Sequence, residues 1–371
     1  MTRSLGWLVV LLALAAGPVI AQCDTPIDLG EGEIAFHVPS GYDPATPTPL
    51  VILLHGYGAS GFLQESYFRL TPLADELGFL YAYPDGVLDP GGNRFWNATD
   101  ACCDVLGSGV DHSSYLRSLI ETIRAQCNVD PYRVYFAGHS NGGFMSYRMA
   151  CDHADVIAGI ASLAGATFAD ASACAPSKPV HVLQIHGTAD ETILYDGGHI
   201  LGTDYPGAVQ TAEIWAAYNQ CSTESRRLSP NLNLDTTVAG RESVVQRWDD
   251  GCRPGGSAEL WTIDRGEHVP AISSAFRRGV VEHLLDHPAC RGRERLKRPR
   301  CSESGTLKLK LRVGVPGDRY SVRLSTGELV EGELGRKGKA TIRMPDQAAG
   351  GGTAEVTWGC GASASRPYEC P

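Results

Sequence analysis

No two of the twelve cysteines in this chain form a CxxC pair, and none lies before residue 22. The missing spacing argues against a zinc-ribbon or thioredoxin-type site and for disulfides made in an oxidising compartment. Long apolar runs are scarce as well. Trp7–Ala16 follows Arg3 and precedes Val19-Ile20-Ala21, the order of a cleaved secretory signal over 1–21. No other stretch is long and apolar enough to cross a bilayer. Gln22 is a poor residue before a lipidated cysteine, so secretion is expected rather than an anchor on Cys23. Charge is sparse at 20 %, and the net −10 is uneven: 22–290 hold 15 Lys/Arg against 33 Asp/Glu, while 291–300 hold 6 against 1. An acidic main body argues against nucleic acid as a partner. With 43 % apolar residues, 43 Gly and 22 Pro in 371, the composition is that of a globular chain, not a disordered or coiled-coil one.

After the signal, apolar runs alternate with amphipathic stretches, which predicts a mostly parallel sheet with helices on its faces. Leu50–Leu54, Phe79–Tyr83, Arg133–Ala137, Val180–Ile185 and Ala258–Ile263 read as strands. Residues 113–126 read as a helix with Tyr115, Leu119, Ile120 and Ile123 on one face, and another helix lies near 271–286. This main domain spans 22–290. Arg291–Arg300 reads as a basic, solvated linker. In 301–371 the period becomes two: Leu307, Leu309, Leu311, Val313 and Val315 alternate with Lys308, Lys310 and Arg312. Tyr320, Val322 and Leu324, then Ala354, Val356 and Trp358, repeat the pattern. A small antiparallel β domain with one wet face is expected. Nine cysteines fall in 22–290 and three in 301–371, so full pairing needs a bridge across the linker. Cys102 and Cys103 are adjacent and are expected to find different partners, because bridging neighbours is unfavourable.

Gly138-His139-Ser140-Asn141-Gly142 lies between a predicted strand and a predicted helix. A serine hydroxyl is a weak nucleophile that must be presented free and beside a base. A sharp strand-to-helix turn does this, with glycines on either side to allow close approach. The acid and base should follow in the order Ser, Asp, His at the ends of later strands. Asp190, five residues past Ile185, meets that order, and Asp196, Asp204 and Asp250 are rivals in less defined loops. His268 follows the last strand; His283 and His287 lie late in a helix or after it, where structural roles are usual. Two backbone N–H groups are needed for an oxyanion, and Asn141 and Tyr57, in His55-Gly56-Tyr57-Gly58, are the candidates. His55 reads as a buried residue orienting that loop. His181 and His186 do not form a metal pair, no convergent His/carboxylate set is present, and no cofactor is expected.

Several segments together resemble the secreted α/β-hydrolase esterases grouped as poly(3-hydroxybutyrate) depolymerase-like proteins, which include feruloyl esterases. They are Leu54–Gly58, Phe95–Ala98 with Ala101-Cys102-Cys103, Val129–Tyr135, Gly138–Gly143, His186–Glu191 with Gly197-Gly198, and Trp215–Cys221 before Cys252. The resemblance covers about 23–290 and implies an α/β-hydrolase whose triad positions are Ser140, Asp190 and His268. Two departures stand out. The base lies in Arg265-Gly266-Glu267-His268-Val269-Pro270 instead of a Gly-Gly-His-Thr-Trp-Pro-Gly type loop, and Asp111-His112 replaces a pair of aspartates. The form of the serine motif is similar to the feruloyl esterase side, so feruloyl esters of plant polysaccharide (xylan) are the expected substrate. An aromatic acyl slot for that ester would draw on Trp96, Tyr57 and Tyr83, with Trp96 and His139 as the candidate substrate contacts, and poly(3-hydroxybutyrate) is the alternative substrate. A further alternative is a polymer- or envelope-binding role. The wet face of the β domain would gather Lys308, Lys310, Arg312, Arg319 and Arg323 against an anionic polymer or surface. Asn97-Ala98-Thr99 is a glycosylation acceptor only in a eukaryotic source.

Overall fold

The computed structural model describes residues 23–371 apart from residue 201, and the signal expected over 1–21 lies outside them. Nine strands form the main sheet: β1 (Phe36–His37), β2 (Thr48–Leu54), β3 (Leu80–Ala82), β4 (Val129–His139), β5 (Gly159–Leu163), β6 (His181–Gly187), β7 (Arg226–Leu232), β8 (Ser243–Trp248) and β9 (Ser257–Ile263). Their order is β7-β8-β9-β6-β5-β4-β2-β3-β1. The six strands from β9 to β3 are parallel, and β8, β7 and β1 close the edges antiparallel. The helices are α1 (Gly61–Phe68), α2 (Thr71–Leu77), α3 (His112–Gln126), α4 (Asn141–Asp152), α5 (Ala208–Tyr218) and α6 (Ser274–Asp286).

Side-chain alternation along β2 explains the layering. Leu50, Ile52 and Leu54 point into a core shared with α3, α4 and α5, which includes Leu119, Ile120, Met145 and Trp215. Val51 and Leu53 point into the opposite core with Phe68, Phe276 and Val280 of α1 and α6. Both faces of the central strands are therefore covered, which is why they are continuous apolar runs. Each such side chain taken fully out of water contributes about 1.5–3 kcal/mol. The result is an α/β-hydrolase sandwich. It places the C-terminal ends of β2, β4, β6 and β9 side by side, where sites form in open parallel sheets.

The C-terminal part has its own core, built on Leu307, Leu309, Leu311, Val322, Val356 and Trp358. Its strands are β10 (Arg295–Leu296), β11 (Arg300–Cys301), β12 (Leu307–Arg312), β13 (Arg319–Leu324), β14 (Leu329–Glu333), β15 (Ala340–Met344), β16 (Gly350–Trp358) and β17 (Ser363–Cys370). They make two sheets: β12 carries β10 and β11 on one edge and β15 on the other, and the second sheet runs β14-β13-β16-β17. Two expectations are corrected here. The stretch 291–300 is not a free linker, because β10 and β11 pair with β12 and pack on β17. The five cations also do not share a face: Lys308, Lys310 and Arg312 lie on one sheet, Arg319 and Arg323 on the other.

Six disulfides use all twelve cysteines: Cys23–Cys127, Cys102–Cys103, Cys151–Cys174, Cys221–Cys252, Cys290–Cys360 and Cys301–Cys370. Cys290–Cys360 is the bridge that the odd counts on either side required. The adjacent pair overturns the expectation of separate partners. The peptide joining Cys102 and Cys103 is cis, their Cα atoms are 3.0 Å apart, and every other cysteine already has its partner.

Candidate active site

Ser140 occupies the turn between β4 and α4 at φ 54° and ψ −121°, a conformation that a non-glycine residue rarely adopts. Packing imposes it. A Cβ on Gly138 would stand 2.1 Å from the Gly142 carbonyl oxygen, and one on Gly142 would stand 2.2 Å from that of Leu54. Only glycine fits at either place, so β4, α4 and β2 close tightly around the serine. Its N–H donates to the Leu163 carbonyl at 2.8 Å, and its half-buried hydroxyl makes no hydrogen bond among the described residues. Asn141 opens α4, so its backbone N–H has no acceptor within the helix.

Asp190 and His268 meet at the ends of β6 and β9. The His268 Nδ1–H donates to Asp190 Oδ2 at 2.8 Å, while Oδ1 accepts from the backbone N–H groups of Thr192 and Ile193 at 2.9 and 2.8 Å. Burial alone would push the Asp190 carboxyl up. The hydrogen bonds from His186 and His268 and the Ile193 N–H outweigh it and hold the group well below the usual carboxylate range. The two loops are also bound to each other: Ala189 N–H donates to the Gly266 carbonyl, and a Cβ on Gly187 would meet that oxygen at 2.1 Å. Tyr67 O–H donates to the Pro270 carbonyl at 2.6 Å on the far side of the base. Of the rival carboxylates, Asp204 pairs with His199 in an exposed hairpin, and neither Asp196 nor Asp250 hydrogen-bonds to the base.

His139 stands one residue before the serine and reaches the base loop. Its Nε2–H donates to the His268 carbonyl at 2.9 Å, with the two rings 5.0 Å apart. Burial and then the neighbouring His268 lower its pKa to about 4, so it is neutral. At 8 % exposure it braces the His268 loop and is not free to line a substrate slot, which corrects one expectation. Trp96 corrects another: it is 0 % exposed, its indole N–H donates to the His55 carbonyl, and it packs on His55 and His112. Asn141 clamps it from the other side, accepting from the Trp96 N–H and donating to its carbonyl at 2.8 Å each.

The loop 55–58 lies against the turn, since a Cβ on Gly56 would touch Ser140 Cβ at 3.5 Å. His55 orients it, with Nδ1–H on the Gly56 carbonyl and Nε2 accepting from Gly86 N–H; burial lowers its pKa and keeps it neutral. The Tyr57 backbone N–H has no acceptor among the described residues, and its ring is 41 % exposed with the hydroxyl on Asp89. Asn97, half-buried, gives its amide N–H to the Val110 carbonyl, and Thr99 is buried.

His186 is the residue that sequence reasoning missed. Its Nδ1 accepts from the Gln184 amide, and its Nε2–H faces the Ile193 carbonyl at 2.7 Å and Asp190 at 3.3 Å. Nothing in its spacing signals this, because the contact depends on how the turn after β6 folds back. His181, His283 and His287 gather in a separate buried cluster with Glu259. Among the described residues, the compact metal-type cluster is Cys290, Glu294 and Cys360, whose sulfurs are bonded to each other and offer no thiolate. Two concavities lie on the C-terminal sheets, one lined by Tyr320, Glu333 and Trp358 and one by Arg295, Arg300 and Tyr368. Neither concavity includes the serine turn or the Asp190–His268 pair.

The family profile described as Esterase PHB depolymerase matches residues 33–221, just over half of the chain. The chain is similar to Feruloyl esterase B of Piromyces equi, 30 % identical over 245 residues that cover 64 % of this chain and 42 % of that protein. It is also similar to Putative esterase NocK of Nocardia uniformis subsp. tsuyamanensis, 33 % identical over 253 residues that cover 64 % and 71 %. Poly(3-hydroxyalkanoate) depolymerase C of Paucimonas lemoignei is 30 % identical over 169 residues, 43 % of this chain and 38 % of its own. The chain thus spans less than half of the first and third of these relatives and most of the second. With the profile covering half of it and the NocK likeness running over most of that protein, this chain belongs to the Esterase PHB depolymerase family.

Proposed function

We propose that the protein is a secreted serine esterase that cleaves feruloyl esters of plant polysaccharide through a Ser140–His268–Asp190 triad. The observation that carries the reading is the Asp190–His268 pair, held at the strand ends next to the His139-Ser140 turn. In this mechanism His268 Nε2 takes the proton as Ser140 Oγ attacks the ester carbonyl, and Asp190 holds the resulting imidazolium. The N–H groups of Asn141 and Tyr57 receive the oxyanion. Collapse expels the alcohol, which takes the proton from His268, and water cleaves the acyl-enzyme by the same steps in reverse order. The organic acid leaves, Ser140 is restored, and no cofactor takes part.

The relatives named feruloyl esterase and the exposed Tyr57 ring beside the turn support an aromatic acyl group. A second reading has one observation of its own. Among the described residues, eight of the nine exposed large apolar side chains lie in 57–269, among them Phe62 at the start of α1, Leu88, Leu106 and Val269 beside His268. Such side chains would also suit an apolar polyester like poly(3-hydroxybutyrate). Six disulfides and the expected signal support secretion, and no helix among the described residues is long and apolar enough to cross a membrane.

A paired assay decides between them. Ferulate release from feruloylated arabinoxylan, abolished by Ser140→Ala, is the expected outcome. Clearing of a polyhydroxybutyrate suspension without ferulate release would move the assignment to the polyester. Inertness toward both, and toward short aryl esters, would overturn the triad reading.

A further inference from the structure

The outward face of β12 is cationic and has no acidic partner. Lys308, Lys310 and Arg312 alternate with the buried Leu307, Leu309 and Leu311. Direct cross-strand neighbours extend the charge: Arg300 and Arg343 flank Lys308, and Arg295 faces Arg312. None of these six forms a salt bridge among the described residues, and Lys308, with Arg312 and Arg300, presses the Lys310 ammonium below the ordinary lysine range. Like charges placed directly opposite cost stability. Lysines on an edge strand are explained by protection against edge pairing. That explanation fails here, because β12 is the central strand with both edges paired. The other sheet shows what a balanced face looks like: Arg319 faces Glu333 and pairs with Asp286 at 2.9 Å, and Arg323 faces Glu355.

We propose that the face formed by Arg295, Arg300, Lys308, Lys310, Arg312 and Arg343 is a binding surface for a carboxylate-bearing polysaccharide, holding the esterase on its polymer. The other outward position paired along β12, Thr341, is polar too, so this row presents no aromatic ring or apolar wedge; at its Arg295 and Arg300 edge the adjoining concavity takes in the buried Tyr368 and the exposed Glu369. Cations repeat about every 7 Å along β12 and about 5 Å between strands, a grid that suits an extended chain with a charge on successive sugars. The acidic body at 22–290 repels the same polymer and confines it to this sheet. The choice of polysaccharide among polyanions rests on the proposed ester substrate, whereas the binding itself does not depend on Ser140.

The test uses the full chain carrying Ser140→Ala, with polygalacturonate, neutral arabinoxylan, anionic phosphatidylglycerol vesicles and duplex DNA as probes. Retention on polygalacturonate is expected at about 20 mM salt and is expected to vanish near 0.3 M, as the Debye length shrinks below the charge spacing. The triple variant Lys308→Gln/Lys310→Gln/Arg312→Gln should weaken it about tenfold or more, and Arg319→Gln/Arg323→Gln should leave it unchanged. Single variants Lys310→Gln and Arg343→Gln guard against misfolding: each should bind more weakly while its melting temperature holds or rises, because like-charge repulsion is relieved. No retention, equal retention on neutral arabinoxylan, indifference to the triple variant, or tighter binding to vesicles or DNA at equal charge would each overturn the proposal. If the Ser140→Ala chain binds polygalacturonate while the parent chain, with Ser140 intact, releases no ferulate, the substrate reading is overturned and this one stands.

Discussion

At Ser140 the backbone holds a conformation that costs a non-glycine residue about 1–3 kcal/mol, sustained by the close approach of β4, α4 and β2. The electrostatics around it are arranged for one titration. Asp190 lies below the usual carboxylate range, so it stays ionised at neutral pH beside the proposed base. Its contribution to stability is present above the unfolded carboxyl value of about 3.9 and is lost only as pH falls through the lower folded value. The acid limb of log kcat/KM should therefore fall with unit slope, from the base alone; a slope of two would contradict the assignment. His139 supplies a second prediction. Removing its bond to the His268 carbonyl in His139→Ala should lower kcat by about 10- to 100-fold with KM little changed, since a misplaced base harms the transition state most. His139→Gln, which can still donate, should restore part of it; equal loss in both would mean a packing role only. The Asp190–His268 pairing was legible because strand ends predict where such side chains meet, and the strained Ser140 turn because glycines flank it. Trp96 was not, because a fully buried tryptophan and a substrate-stacking one are identical as letters; only its bond to the His55 carbonyl and its burial decide.

The elements tell a similar story. β2, β4, β6 and β9 were visible as apolar runs, and α3 as an amphipathic repeat, since burial on two faces or one leaves a period in the chain. β10 and β11 were invisible: two residues each, among arginines and beside Pro299, carry no period. Their pairing with β12 is set by the tertiary arrangement. The turn entering β13 holds another feature of this kind. Asp318 is buried, with nearby N–H groups of Arg319 and Cys360 that do not reach hydrogen-bonding geometry. Burial outweighs them and the Arg133 charge, and carries its carboxyl up to about 7. A carboxyl raised in the folded state keeps a proton that the unfolded chain has released. It therefore destabilises the fold progressively between about pH 4 and pH 7, and fully above that. Asp318→Asn removes this cost, so it should raise stability by on the order of 2 kcal/mol near pH 8 and by little near pH 4. Melting curves at the two values check it; an equal shift at both would assign the gain to packing.

Across the whole molecule, the hydrolase body and the β part are joined by Cys290–Cys360, by the Arg319–Asp286 pair and by the Gly255 N–H on the Cys360 carbonyl. Closing a separation of 70 residues constrains the unfolded chain by about 4 kcal/mol in the chain-entropy account. Cys290→Ser/Cys360→Ser should lower the melting temperature of the β part first, in a separate transition, while short aryl esters are still cleaved at the parent rate. Loss of that activity would mean the β part completes the site. By itself, the order of residues determined the sandwich, the small β part, the need for a bridge between them and the three residues of the proposed triad. Each of these leaves a local trace in periodicity, glycine placement or parity. Tertiary structure alone decided that Cys102 and Cys103 pair with each other, that His186 meets Asp190 and His139 meets the His268 carbonyl, and that the cations of β12 stand apart from Arg319 and Arg323. Those outcomes depend on which distant segments become neighbours, and burial and strand pairing settle that only once the whole chain has closed.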